Sequence, residues 1–383
     1  MKEIYFDNAA TTKPYESVCQ AVSTAMRENY ANPSSLHTLG MKAEKAVRGA
    51  RSVFANCLGA DPSEIYFTSG GTESDNISIL GFASANKKRF SKIVTTKIEH
   101  DAVLETARFL GTTGFDVSYV NVLPNGVLDL EDFERSLTPD TGLVSVMSVN
   151  NEVGAIQPIA SLKKIMKNIC PKAVLHVDHV QGFGKVNLNV KKCGIDLLSV
   201  SAHKIHGPKG IGLLYMREGI HVSPIIHGGH QEKNIRSGTQ SVYDIVGFRA
   251  AAEENMNVPK NALITRLRDE MAHKILNNIS DVTLNTSLED SAPHVLNVSF
   301  EQIRSEVLLH CLESNGIFVS TGSACSSNKP ELSHTLLAMG RTNKQIDGAI
   351  RFSFSEFNTM DEVDETIEVL IREVANLRKY IGR

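Results

Sequence analysis

From Pro62 to Tyr215 the chain keeps returning to short apolar runs, several of them β-branched, and this rhythm limits the folds open to it more than any other feature. The runs are Ile65–Thr68, Ile93–Thr95, Val117–Val120, Leu143–Val149, Val174–Val177, Leu197–Val200 and Ile211–Tyr215. Helical spacing lies between some of them, at Val103–Leu110 and Leu162–Ile169. Apolar strands alternating with helices predict a mostly parallel sheet covered on both faces, an α/β architecture. Two amphipathic helices precede it, one carrying Val18, Ala21, Val22, Ala25 and Met26, the other Ala43, Ala46, Val47, Ala50, Val53, Phe54 and Cys57. A long helical stretch around Ala262–Ile279 then leads into a different rhythm. There His294–Phe300, Ile317–Ser320 and Ile350–Phe354 read as strands, and Ser305–Ser314 and Asp361–Tyr380 as helices. The change predicts a large domain over residues 15–255 and a smaller α+β domain built from residues 1–14 and 256–383.

Composition agrees and removes several classes of function. At 383 residues the chain is long enough to bury about three quarters of its unfolded surface, so no disulfide or metal staple is required. Lys and Arg number 40 against 43 Asp and Glu, a net charge of −3, which offers no basic surface for nucleic acid or an anionic membrane. The six cysteines, at 19, 57, 170, 193, 311 and 325, include no C-x-x-C pair. That disfavours a zinc ribbon, a cluster held by neighbouring cysteines and a disulfide framework. The N-terminal residues carry no apolar signal core, and no segment approaches 18 uninterrupted apolar residues, so the cytoplasm is the expected compartment.

Three short stretches carry chemistry. Lys204 sits in Ser201-Ala202-His203-Lys204-Ile205-His206-Gly207-Pro208, just past an expected buried strand. A lone loop lysine is ordinarily a solvated surface residue. Asp178, in His176-Val177-Asp178-His179-Val180-Gln181, ends another expected strand, where open α/β sheets bind ligands. By itself it reads equally as a cap for the next segment, but a buried carboxylate calls for a cation, and a pyridinium nitrogen is one. The turn Thr68-Ser69-Gly70-Gly71-Thr72-Glu73 lies between a strand and a helix pattern, where backbone N–H groups can approach an anion. Together they specify an aldehyde-binding lysine, a partner for a ring nitrogen and a phosphate seat.

Nearly end to end, the sequence resembles the cysteine desulfurases of the NifS/IscS type, pyridoxal-phosphate enzymes of the fold-type I, class-V aminotransferase architecture. The resemblance runs through Tyr5–Thr12, Asn32–His37, Phe67–Asn76, Glu99-His100, Asn150–Gly154, His176–Asp178 with Gln181, Ser201–Gly210, Arg236–Thr239, Leu296–Phe300, Ser320–Ser326 and Ile350–Ser353. It implies a mostly parallel seven-stranded sheet flanked by helices, a pyridoxal 5'-phosphate cofactor and no metal. Lys204 would bind the cofactor's aldehyde and Asp178 its ring nitrogen, while Gln181 would hydrogen-bond the ring hydroxyl. His100 would stack on the ring and transfer protons, with Asn151 beside it. Gly71 and Thr72, with Ser201 and His203, would seat the phosphate, and Thr239 would reach it from a second subunit. Arg351 would bind the substrate carboxylate, with Asn8 and Asn32 nearby. By themselves His100 reads as a helix-start histidine and Arg351 as a salt-bridged residue of a sheet edge.

Cys325 singles out sulfur transfer. Its surroundings, Gly322-Ser323-Ala324-Cys325-Ser326-Ser327-Asn328-Lys329-Pro330, have the composition of an exposed loop, expected over about 321–332. An accessible thiol can ionise and attack, and five extended residues reach about 17 Å. The implied reaction takes L-cysteine to L-alanine and leaves a persulfide on Cys325. The implied assembly is a homodimer that hands sulfur to protein acceptors, such as an iron–sulfur scaffold or a tRNA-thiolation enzyme. A selenocysteine lyase or another enzyme of the same fold is the near alternative; a non-catalytic sulfur-trafficking scaffold is the distant one. Two positions depart from the family pattern: His179 beside Asp178, and Glu356, three residues past Ser353, where a carboxylate near Arg351 would either weaken substrate binding or face solvent.

Overall fold

Thirteen strands and the helices between them make up the computed structural model, which describes residues 3–257, 261–321 and 332–381. In chain order the strands are β1 (Ile4–Tyr5), β2 (Ile65–Thr68), β3 (Lys92–Thr96), β4 (Asp116–Val120), β5 (Thr141–Met147), β6 (Val174–Asp178), β7 (Leu197–Ser201), β8 (Gly212–Met216), β9 (Val282–Leu284), β10 (Val295–Phe300), β11 (Ile317–Phe318), β12 (Ser320–Thr321) and β13 (Ala349–Ser353). The seven apolar runs become one seven-stranded sheet in the order β2-β8-β7-β6-β5-β3-β4. Only β8 runs against its neighbours, so the carboxyl ends of β2, β3, β5, β6 and β7 share one edge. Strands β5 to β8 are buried along their whole length, because helices cover both faces and no alternation with polar residues is needed.

The helix Thr38–Leu58 shows how the covering is made. Gly40, Ala43, Val47, Ala50, Phe54 and Leu58 recur at helical spacing and are buried, His37 accepts the Gly40 N–H at its start, and Gly59 ends it in the left-handed conformation at φ 71°. Helix Val242–Asn257, which the apolar pattern did not announce, packs against both Glu16–Glu28 and Thr38–Leu58. A helix wedged between two others buries more than one face, so its sequence lacks a single stripe.

The second unit is an antiparallel sheet, β12-β13-β10-β9, under helices Asn261–Asn278, Ser305–Ser314 and Met360–Ile381. Its core gathers Leu267, Met271, Leu296, Val298, Leu312, Phe352 and Leu370 together with Ile4 and Phe6 from the other end of the chain. The expected single strand Ile317–Ser320 divides: β11 pairs in parallel with β1, and β12 pairs with β13. No helix among the described residues is long and apolar enough to cross a membrane.

Candidate active site

The shared edge of the large sheet collects the stretches picked out above. Thr68 at the end of β2 and Ser201 at the end of β7 both pair with Gly212 of β8, which sets the Gly70-Gly71 turn against Ser201. A Cβ built on Gly71 would come within 2.6 Å of Val180 Cγ2, so only glycine fits there without a shift of Val180, and one on Gly70 would lie in ordinary contact distance of the Ser201 hydroxyl. Past β7 a single 3₁₀ turn, Ala202–Lys204, aims Lys204 at the N-terminal strand's exit. Its Nζ donates to the carbonyls of Ala9 at 2.6 Å and Ala10 at 2.8 Å. Gln181 Nε2 donates to the same Ala9 oxygen at 2.9 Å, while Gln181 Oε1 meets His294 Nε2 at 3.2 Å. His203 is held by Thr11 at 3.2 Å and its ring is pushed down to about 4, by burial first and then by the cations Lys204, Lys209 and Lys185.

Asp178 ends β6 with one oxygen accepting the Val180 N–H at 2.9 Å. Burial, and then the neighbouring Asp75, hold its carboxyl above the ordinary range; His100 and His176 pull the other way. Around it lies a buried polar layer that the sequence reading did not assign. His176 sits between Ser145 (2.8 Å) and Ser199 (3.1 Å), and burial pushes it down to about 4, so it is neutral. Asp75 approaches His176 Nε2 at 3.5 Å and is pushed up to about 7 by burial, with Oδ1 sealed and unbonded among the described residues. Glu99 accepts from Thr96 at 2.6 Å and from the Met147 N–H at 3.0 Å, and burial pushes it up to about 8. His100 follows it as the cap of helix Asp101–Thr112. The Ala102 N–H donates to His100 Nδ1 at 3.1 Å, so the neutral ring carries its proton on Nε2.

Arg351, on β13, reaches back to this edge from the second sheet. Nη1 donates to the Asn151 carbonyl at 2.9 Å and Nη2 to Asp7 Oδ1 at 2.9 Å, while Nε is buried with no hydrogen-bond partner among the described residues. Asp7 was not among the residues expected here, although a charged residue in Phe6-Asp7-Asn8 with no local partner was the available signal. Asn8 Nδ2 donates to the carbonyls of Ser353 at 2.9 Å and Tyr5 at 3.2 Å, stitching β1 to β13. Thr72 is exposed on the first turn of its helix, Asn32 is exposed with Oδ1 on the Ser34 N–H, and Thr239 is exposed in a coil; no bond among the described residues ties any of the three to Lys204.

Cys325 and the stretch 322–331 lie outside the described residues. Its flanks are placed: Thr321 pairs with Ile350, next to Arg351, and Ser333 donates to Glu152 at 2.5 Å, next to Asn151. His179 is buried against Ser148 at 2.7 Å and pushed down to about 3 by burial, so it stands there as a neutral ring. Glu356 neither faces Arg351 nor stands free in solvent. It accepts from the Tyr15 hydroxyl and lies 3.4 Å from His206 Nε2, tying the C-terminal unit to the Lys204 segment.

This donor set fits pyridoxal phosphate: an amine for the aldehyde, a buried carboxyl whose raised proton affinity a ring cation would relieve, and a side-chain-free turn beside a hydroxyl for the phosphate. Comparison with known proteins agrees. The chain matches the aminotransferase class-V family over residues 4–366. It is 44% identical over 380 residues to a cysteine desulfurase of Nostoc sp. strain PCC 7120, covering 99% of this chain and 94% of that protein. To the cysteine desulfurase IscS of Dictyoglomus turgidum it is 41% identical over 379 residues, covering 98% and 96%. Among solved structures it superposes on a NifS-like protein with a TM-score of 0.91 at 41% identity, over 98% of this chain and 100% of that one. On SspA in complex with cysteine the TM-score is 0.83 at 34% identity, over 94% and 100%. Pyridoxal phosphate is the cofactor of these families in general. With the fold, the site and these likenesses in agreement, the chain belongs to the class-V aminotransferase family, among its cysteine desulfurases.

Proposed function

We infer that this chain is a pyridoxal-phosphate-dependent cysteine desulfurase, which converts L-cysteine to L-alanine and takes the sulfur onto Cys325 as a persulfide. The observation that carries it is that the Asp7–Ala10 turn gathers Lys204, Arg351 and Gln181 by hydrogen bonds, with the buried Asp178 carboxyl three residues before Gln181 at the end of β6. Lys204 would hold the cofactor's aldehyde, Asp178 its ring nitrogen and Gln181 its ring hydroxyl, with Gly71, Thr72, Ser201 and His203 at the phosphate. When bound, the cofactor supplies an electron sink for the pair left at the substrate's Cα. Arg351 binds the substrate carboxylate, and Asn151 and His100 line the reacting centre. Because Nδ1 is occupied by Ala102, His100 acts through Nε2. Cys325, as thiolate, attacks the substrate sulfur. The S–S bond forms as Cβ–S breaks, the bonding pair goes to carbon, and a proton delivered there completes the methyl group of alanine. That both flanks of the Cys325 stretch are tied next to Arg351 and Asn151 supports this assignment.

The chain further divides, on this reading, into the units 15–255 and 1–14 with 256–383, supported by their separate cores. It works as a homodimer in the cytoplasm, with Thr239 serving its partner, and delivers sulfur to protein acceptors. Replacing Cys325 tests the chemistry. Cys325→Ser should keep the yellow cofactor band and lose sulfide release from cysteine with dithiothreitol by roughly a thousandfold or more. Wild-type release would overturn the nucleophile, and a colourless protein that gains no band with added pyridoxal phosphate would favour the scaffold.

A further inference from the structure

The guanidinium of Arg351 already holds a carboxylate. Its side chain is only 6% exposed, and the Asp7 side chain beside it is 22% exposed. A charge that deep needs compensation, and Asp7 Oδ1 at 2.9 Å from Nη2 supplies the negative group bonded to it among the described residues. The Asn151 carbonyl takes Nη1, and Nε has no hydrogen-bond partner among the described residues. The Asp7 main chain is fixed, its carbonyl accepting the N–H groups of Ala10 at 3.0 Å and Thr11 at 3.4 Å. That turn carries the Ala9 and Ala10 carbonyls to Lys204. Its side chain, by contrast, has Arg351 as its only hydrogen-bond partner among the described residues.

We propose that Asp7 is the carboxylate a substrate must displace: it bonds Arg351, and the α-carboxylate of the amino acid takes its place. The proposal rests on the reading of Arg351 as the substrate-carboxylate site. Two carboxylates on one largely buried guanidinium would repel across a few ångströms. On substrate entry Asp7 therefore swings away, giving up one hydrogen bond, or takes a proton. Burial already lifts its proton affinity above the ordinary carboxylate range, against the pull of Arg351 and Lys204. Either response exchanges one carboxylate for another and leaves the guanidinium neutralised. A thiol-bearing amine without a carboxylate cannot make the exchange, so Asp7 sharpens the preference of the site for amino acids.

The test compares holoenzymes by titration calorimetry with L-alanine, a carboxylate-bearing product that has no sulfur to transfer, and by cysteine turnover. Asp7→Asn keeps an acceptor for Nη2 and removes the competing charge. It should bind L-alanine about tenfold more tightly, the order expected for relief of one half-buried like-charge contact. KM for cysteine should fall while kcat changes less than KM does. Asp7→Glu, which keeps the charge, should bind no more tightly than wild type. If both variants bind more weakly while Arg351→Ala also weakens binding, Asp7 merely props up Arg351 and the proposal fails. If Arg351→Ala binds L-alanine as wild type does, the reading of Arg351 itself has failed. The Asp7→Asn gain should vanish in the Arg351→Ala background; a gain that persists there overturns the exchange.

Discussion

Glu99 has one oxygen bonded by Thr96 and Met147 and the other sealed from water, and burial pushes it up to about 8 from an ordinary value of 4.5. The folded protein therefore holds a proton there that the unfolded chain has lost above about pH 4.5. Its contribution is complete below that pH and is lost as pH rises to about 8. Glu99→Gln keeps an oxygen for both donors and has no proton to lose. Its stability advantage should be small at pH 5, grow to on the order of 3 kcal/mol near pH 8 and then level off, as read by thermal unfolding across that range. An advantage independent of pH would mean that Glu99 is ionised in the fold. At this scale the sequence yields what residue type alone implies. That Asp178 ends one strand and Lys204 follows another was legible, because an apolar run precedes each. Asp7 was not, because its partner Arg351 lies 344 residues away.

Gly212 shows why an element matters beyond its own residues. It is the first residue of β8, the reversed strand, and lies between Thr68 and Ser201. A Cβ there would sit 2.5 Å from the Val200 oxygen and 2.7 Å from Gly70 Cα, both backbone atoms that cannot step aside cheaply. Gly212→Ala should cost about 1–3 kcal/mol in denaturant unfolding and, by pushing the Gly70-Gly71 turn from Ser201, weaken cofactor retention on gel filtration. Unchanged retention would remove this turn from the phosphate seat. The runs that became the large sheet were legible because β5 to β8 are buried on both faces and read as continuous apolar runs, while the edge strand β4 still keeps Val117 and Val120. The two-residue strand β1, and the division of Ile317–Ser320 that lets β11 pair with it, were not legible, since that pairing is settled by contacts between distant segments of the chain.

Over the whole molecule, the two units meet at a clasp whose Glu356 the sequence left open between a place near Arg351 and solvent. Tyr15 and His206 stack at 4.5 Å, Phe357 meets both rings edge-on at 5.8 and 5.2 Å, and Glu356 bonds the Tyr15 hydroxyl beside His206. Glu356→Ala should leave the buried Tyr15 hydroxyl short of this acceptor and cost about 1–3 kcal/mol. Urea unfolding should then broaden towards two steps as the cores uncouple, with the cofactor band retained. A single transition at the wild-type midpoint would show that the clasp carries no stability.

The sequence by itself determined the strands of the large sheet, the amphipathic helices that open the chain, the family and the residue types at the strand ends. All of these depend on periodicity or on motifs contained in short stretches. The tertiary structure decided which distant groups share one guanidinium, which carboxyls are sealed beside Asp178, and that Glu356 clasps Tyr15 and His206 instead of meeting Arg351. Those outcomes depend on desolvation and on contacts between segments hundreds of residues apart, and neither is encoded in any local pattern.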